Sequence, residues 1–281
     1  MSQDHDHRIA VVHFTAPTCW WSWGYEPVFN RLKLVYGDQI RLATLYGTVY
    51  EDVDEYRKNY ELDDAGMVVW AKESQEIMGV PMHLNYRFDR MPKNLLPATL
   101  AVMAGMRQGH EKGHRLYRAL LRRNIVEGQD VTGEATILEA VKEASLDEAK
   151  FKGDWADQAS LKADLEKQGE DAPPVHVGFF NIAVTDGHGR TVYLDQQFQP
   201  STVEGAIDYL SDGQLKKAKS SDILEYLRAQ GPTSLVEVER VFDLSSKDAI
   251  AELERLEKLK KTKRSTIAGA TFWSVFTTIV D

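Results

Sequence analysis

Cys19 is the only cysteine of the chain, and it stands in APTCWWSWGYEPVFN, residues 16–30, where a strand-like run gives way to a helix-like one. A cysteine at such a junction faces the unpaired N–H groups of the first helical turn and the positive end of the helix dipole, which favours thiolate over thiol. A thiolate there is suited to metal ligation or mixed-disulfide formation, at some cost in intrinsic nucleophilicity. The competing account is a packed small hydrophobe, because free cysteine is among the most buried residue types. Trp20, Trp21 and Trp23 crowd the same stretch and fit either a core or the walls of a substrate groove. A single cysteine rules out an internal disulfide and a cysteine-rich zinc site.

The elements that must position this thiol are legible around it. Residues 8–15, RIAVVHFT, form the continuous apolar run of a buried parallel strand, ended by Ala16-Pro17. A helix is expected from Cys19 to about Tyr36, stopped by Gly37, and a second strand over residues 40–50. A strand, helix, strand unit of this length allows the strands to lie parallel in one sheet. From about 53 to 168 the pattern is helical and amphipathic, which reads as an all-helical insertion. Strand signals return at 175–184 and 191–195, joined by the turn-forming Asp186-Gly187-His188-Gly189, and a helix is expected from about Thr202 to Leu210. The polar stretch 211–222 predicts a linker. Beyond it, helices over 222–229, from Thr233-Ser234 to Phe242 and from Ser245-Ser246 to about Leu259 precede a basic turn and a strand starting at Thr271. That order fits a helix-turn-helix module with a wing. The expected architecture is therefore an α/β domain over residues 1–212 and a small winged-helix-like domain over 219–281.

Composition narrows the function classes. The chain has 281 residues, 43% of them hydrophobic, so it can bury a substantial core, and its net charge of -9 argues against a global attraction to nucleic acid or anionic membrane. A local basic patch exists at Lys258, Lys260, Lys261, Lys263 and Arg264, but the preceding helix carries Asp248, Glu252, Glu254 and Glu257, which repel phosphate. Protein interaction is therefore expected ahead of DNA binding. No apolar run approaches the length of a membrane-spanning helix. The opening MSQDHDHRIAVVHF has no basic segment or cleavage site, and together with the free thiol it predicts a cytoplasmic protein. Asp4, His5, Asp6 and His7 read as a frayed terminus, and His83, His110 and His114 lack an identifiable third metal partner. No metal and no nucleotide cofactor is expected.

The stretch Cys19-Trp20-Trp21-Ser22-Trp23-Gly24-Tyr25-Glu26-Pro27 resembles the active-site segment of the DsbA-like thioredoxin-fold family, above all its FrnE-type and dithiol-disulfide isomerase branch, whose members read Cys-x-x-Cys-Trp-Gly-Phe-Glu-Pro. Residues 95–147 resemble that family's helical insertion and 198–210 its last helix, so the likeness covers about residues 8–210. The resemblance implies a thioredoxin-like fold with Cys19 as the attacking thiolate and Ser22 where the resolving cysteine would stand. It also implies a cis-proline facing the thiol, at Pro174 or alternatively Pro173, beside which an extended client peptide pairs with the backbone around Val175. Trp20, Trp21 and Trp23 would then line the client groove. With no second thiol, the implied activity is a monothiol disulfide oxidoreductase or isomerase that exchanges through an external thiol such as glutathione. Related folds bind glutathione beside a serine at the place of Cys19, and the family also contains protease adaptors. A non-enzymatic adaptor that holds a partner through the groove and the C-terminal domain is the alternative expectation.

Overall fold

The structure, a computed structural model, describes residues 8–168, 170, 174–218 and 222–276. Strand β1 (Ile9–Thr15) is buried along nearly its whole length, as its unbroken apolar run predicts. It pairs in parallel with β2 (Ile40–Tyr46), Ile9 opposite Ile40 and Thr15 opposite Tyr46. Helix α1 (Trp20–Tyr36) connects them and ends at Gly37, whose positive φ of 52° glycine adopts at least cost. Strand β2 stops four residues short of the expected Tyr50. Gly47 turns the chain there, donating its N–H to the Thr15 carbonyl at 2.7 Å, and a Cβ at this position would collide with the Phe14 ring.

Between β2 and β3 the regular elements are all helices: α2 (Val53–Asn59), α3 (Asp64–Met78), α4 (Leu96–Met106), α5 (His110–Ile125), α6 (Glu134–Glu143), α7 (Glu148–Ala156) and α8 (Gln158–Lys167), with an irregular stretch over 79–95 between α3 and α4. The carboxylates of Asp52, Asp63, Asp147 and Asp157 accept backbone N–H groups at the starts of α2, α3, α7 and α8. Helix α4 is apolar on all sides and is correspondingly buried, with α5 to α8 packed around it.

The sheet is completed by β3 (Asn181–Thr185), antiparallel to β1, and β4 (Thr191–Asp195), antiparallel to β3, giving the order β2-β1-β3-β4. The strand expected from residue 175 begins only at Asn181. Gly178 donates its N–H to the Asn181 side chain, and the Phe180 carbonyl accepts from the Tyr25 hydroxyl at 2.9 Å and from the Gln196 N–H at 2.9 Å. These bonds hold 178–180 as an irregular loop, whose apolar residues line a cavity instead of a sheet face. Helix α9 (Pro200–Leu210) starts two residues earlier than expected because Pro200 fits the first turn.

The expected linker is anchored over its described part. Leu215 packs on the main core, Lys217 pairs with Glu204 at 2.8 Å, and the Ala218 N–H donates to the Val35 carbonyl at 2.7 Å. After residues 219–221, which lie outside the described residues, come α10 (Ile223–Gln230), β5 (Thr233–Ser234), α11 (Leu235–Phe242), α12 (Ser246–Lys258), β6 (Thr262–Ile267) and β7 (Ala270–Val275). Strand β7 pairs antiparallel with both β5 and β6. Ser234 caps α11 and the helix ends at Phe242, as expected, while Thr233 and Ser234 also pair with β7. One sequence expectation is corrected here: the end of the basic turn, Lys263 and Arg264, lies in strand β6, since Thr262 pairs with Val275 and Arg264 with Trp273. This part has its own apolar core, including Leu227, Val238, Val241, Leu253 and Trp273.

The two parts meet over a buried ionic network. Arg118 of α5, 2% exposed, donates to Glu26 of α1 at 3.1 Å, to Glu237 of α11 at 2.9 Å and to the Gln230 carbonyl at 2.9 Å. Tyr226 donates its hydroxyl to the other Glu237 oxygen at 2.5 Å. Among the described residues no helix is long and apolar enough to cross a membrane.

Candidate functional site

Cys19 is the N-cap of α1, with its N–H donating to the Ala16 carbonyl at 3.2 Å. The sequence therefore places the sulfur where the helix N-terminus can act on it. Ser22, one turn on and fully buried, accepts the Ala16 N–H at 3.4 Å, and the polar groups of Ser22 and the Trp21 backbone pull the thiol towards thiolate. Burial outweighs them. Cys19 is only 5% exposed, and desolvation pushes its pKa up to about 11, so the expected lowering is reversed.

The thiol forms part of the wall of a cavity of about 500 Å³. One side comes from the sheet end: Thr18, Cys19, Trp20, Trp21, the loop 178–180 and Gln196. The other comes from the helical region, with Tyr50, Tyr56, Tyr60, Trp70, Tyr86, Met91 and Leu95. Ring contacts fix this lining: Trp20 stands edge-on to Trp70 at 4.9 Å and to Tyr86 at 5.4 Å, Tyr60 lies 4.9 Å from Tyr56 and 5.8 Å from Trp70, and Tyr50 is 5.0 Å from Tyr56. The hydroxyls of Thr18 and Tyr86 are buried without a hydrogen-bond partner in the protein.

The structure brings Cys19, Ser22, Trp20 and Trp21 together and separates the rest of the expected set. Trp21 stacks on Phe198 at 5.8 Å. Trp23 faces the interior, 2% exposed, donating its indole N–H to the Pro81 carbonyl at 2.9 Å beneath Arg118, and it does not line the cavity. Pro174 is an exposed bend and Val175 is half-buried; neither lines the cavity, where this segment contributes Gly178, Phe179 and Phe180 instead. The bond before Pro174 joins it to Pro173, which lies outside the described residues, as do His5 and His7. His83 lies tilted against Tyr86 at 4.1 Å, and among the described residues no three metal-binding side chains converge. The aromatic wall from the helical region went unforeseen. Its signal was the closely spaced run Tyr50, Tyr56, Tyr60 and Trp70.

Comparisons with known proteins agree with this geometry. The family model described as "Thioredoxin" (Thioredoxin_5) matches residues 13–170, more than half of the chain. The ClpXP adapter protein SpxH of Bacillus subtilis is 24% identical over 282 residues, covering 97% of this chain and 91% of that protein; SpxH of Shouchella clausii is 25% identical over 94% and 88%. Among solved structures, the cytosolic disulfide reductase DsbM of Pseudomonas aeruginosa superposes with a TM-score of 0.52 and 20% identity, over 72% of this chain and 98% of its own. The same reductase with GSH gives a TM-score of 0.51 at 18% identity, over 72% and 99%. A strand, helix, strand unit with a thiol at the helix N-cap, an all-helical insertion and a returning hairpin, matched by the family model and by these folds, make the chain a member of the thioredoxin family with a DsbA-like fold.

Proposed function

We propose that this chain is a cytoplasmic adaptor that binds a partner protein, and that its thioredoxin domain serves recognition more than thiol chemistry. One observation carries the reading: the only thiol is buried with a pKa raised to about 11, so that roughly one molecule in ten thousand is a thiolate at pH 7, and Ser22 occupies the place from which a second thiol would resolve a mixed disulfide. The likeness to SpxH supports it, because it runs through the C-terminal part as well as the thioredoxin domain. In this reading the partner meets the rim of the Cys19 cavity, where Trp21, Tyr60 and Phe180 reach the surface, with the 174–180 segment alongside. The C-terminal part, over about 219–281, is a winged-helix-type module that contacts protein. DNA is disfavoured there because Arg264 of β6 is engaged by Glu257 of α12 at 2.6 Å.

A photoreactive residue at position 60 would crosslink the partner in cells, and the captured protein would then be degraded by ClpXP with and without this chain. Faster degradation with both the native chain and Cys19→Ser supports the adaptor. A glutathione-coupled disulfide turnover that Cys19→Ser abolishes, with no effect on degradation, overturns it. That outcome would install the second reading, a monothiol exchange with glutathione, favoured by the position of Cys19 in a cavity wall and by the GSH held in the related reductase.

A further inference from the structure

We propose that the cavity beside Cys19 is a binding site for an uncharged aromatic small molecule carrying one or two hydrogen-bonding groups. Its size comes first: about 500 Å³ lies within the range of roughly 300–1,000 Å³ in which proteins hold small ligands. Its chemistry comes next. Among the described residues the lining contains no Asp, Glu, Lys, Arg or His, so no charged side chain there compensates the desolvation of a charge. Glutathione, with two carboxylates and an ammonium to desolvate, is therefore a poor occupant, whereas a neutral ring system gains stacked and edge-on contacts with Trp20, Trp70 and Tyr60, which are already held in mutual contact. The two unpartnered hydroxyls, on Thr18 and Tyr86, supply the polar half of the site: each is buried and leaves a hydrogen bond unmade that a ligand can complete. Access is provided at the rim by Tyr60 and Phe180, 58% and 47% exposed. The site goes beyond the adaptor reading, since the cavity can fill whether or not a protein docks at its rim.

The test is a fluorescence titration of the full chain with N-phenyl-naphthylamine, an uncharged probe, and with its sulfonated anionic analogue, anilinonaphthalene sulfonate. Saturable one-to-one binding of the neutral probe is expected, about tenfold tighter than that of the anion. Tyr60→Ala, at the exposed rim where the fold does not depend on it, should weaken the neutral probe about three- to tenfold, and Trp70→Ala should do the same. Cys19→Ser should keep the affinity, and saturating probe should slow alkylation of Cys19 by N-ethylmaleimide in the native chain. Equal affinity for the two probes, a titration that does not saturate, or binding that survives Tyr60→Ala while Cys19 stays unprotected would each overturn the proposal. Partner crosslinking at position 60 reads the adaptor independently, so the two can fail separately.

Discussion

Helix α1 serves two buried places that are opposites in chemistry. At its start, Trp20 enters a cavity lined by uncharged groups, where two hydroxyls have no partner. One to two turns later, Trp23 and Glu26 reach a junction built on charge, where Arg118 satisfies two carboxylates and a carbonyl and Tyr226 completes the set. Buried polar groups with complete partner sets hold a structure in one arrangement, whereas partnerless hydroxyls in the lining of a ligand-sized cavity leave hydrogen bonds for an occupant. On that criterion the junction is architecture, tying the C-terminal part to the thioredoxin domain, and the cavity is the site.

The sharpest way to break the comparison is to remove the central cation. Arg118→Met leaves Glu26 and Glu237 buried with no positive partner, and urea denaturation of the full chain should show a loss of about 3–5 kcal/mol. A loss below about 1 kcal/mol would mean that water reaches the carboxylates and that the junction is no more closed than the cavity.

The next effect is on the thiol. Because Cys19 is pushed up to about 11, its alkylation rate should climb about tenfold per pH unit from pH 7 to 10 without levelling off. The polar groups of Ser22 beside the thiol favour its charged form, so Ser22→Ala should slow alkylation at pH 8 by a few fold. A plateau below pH 8 would return the helix N-terminus to control and revive thiol catalysis.

Smaller again is the contribution of Glu26 to the pH dependence of stability. Burial raises its pKa, against the pull of Arg118, so the folded chain holds this proton more tightly than the unfolded chain does. Its stabilising contribution is complete below the ordinary carboxylate range and is lost as the pH rises through the folded-state value. Glu26→Gln, which keeps a hydrogen-bonding group beside Arg118, should change stability at neutral pH by about 1 kcal/mol or less and flatten the fall of stability with rising pH. Equal losses for Glu26→Gln and Glu237→Gln would show that the two carboxylates share the charge evenly.

What the sequence revealed of this arrangement follows from the reach of its signals. The strand, helix, strand unit was legible because Ile9–Thr15 is apolar without interruption and Gly37 stops α1. Cys19 at the helix N-cap was legible for the same reason. Its pKa was not, because the helix end is a local feature while burial depends on tertiary packing, in which Trp70 and Tyr86, fifty and more residues away, stand against the neighbouring Trp20. The strand expected at residue 175 failed because Phe179 and Phe180 are apolar to line a cavity, and periodicity cannot separate that from a sheet face. Arg118 was equally hidden: on sequence it is one of three arginines within LYRALLRRN, and only tertiary packing singles it out.

The finest test separates a hydroxyl that the fold needs from one that it carries for another purpose. Tyr226 donates to Glu237, so Tyr226→Phe removes a bond to a buried carboxylate and should cost about 1.5–3 kcal/mol. The Tyr86 hydroxyl is equally buried and donates to nothing in the protein, so Tyr86→Phe should leave stability within about 0.5 kcal/mol of the native chain or raise it slightly. The same substitution should weaken a ligand that bonds to that oxygen, such as naphthol, while leaving naphthalene unaffected. A stability loss in Tyr86→Phe as large as that in Tyr226→Phe would show that Tyr86 has a partner inside the fold, and the contrast between cavity and junction would then reduce to one of charge alone.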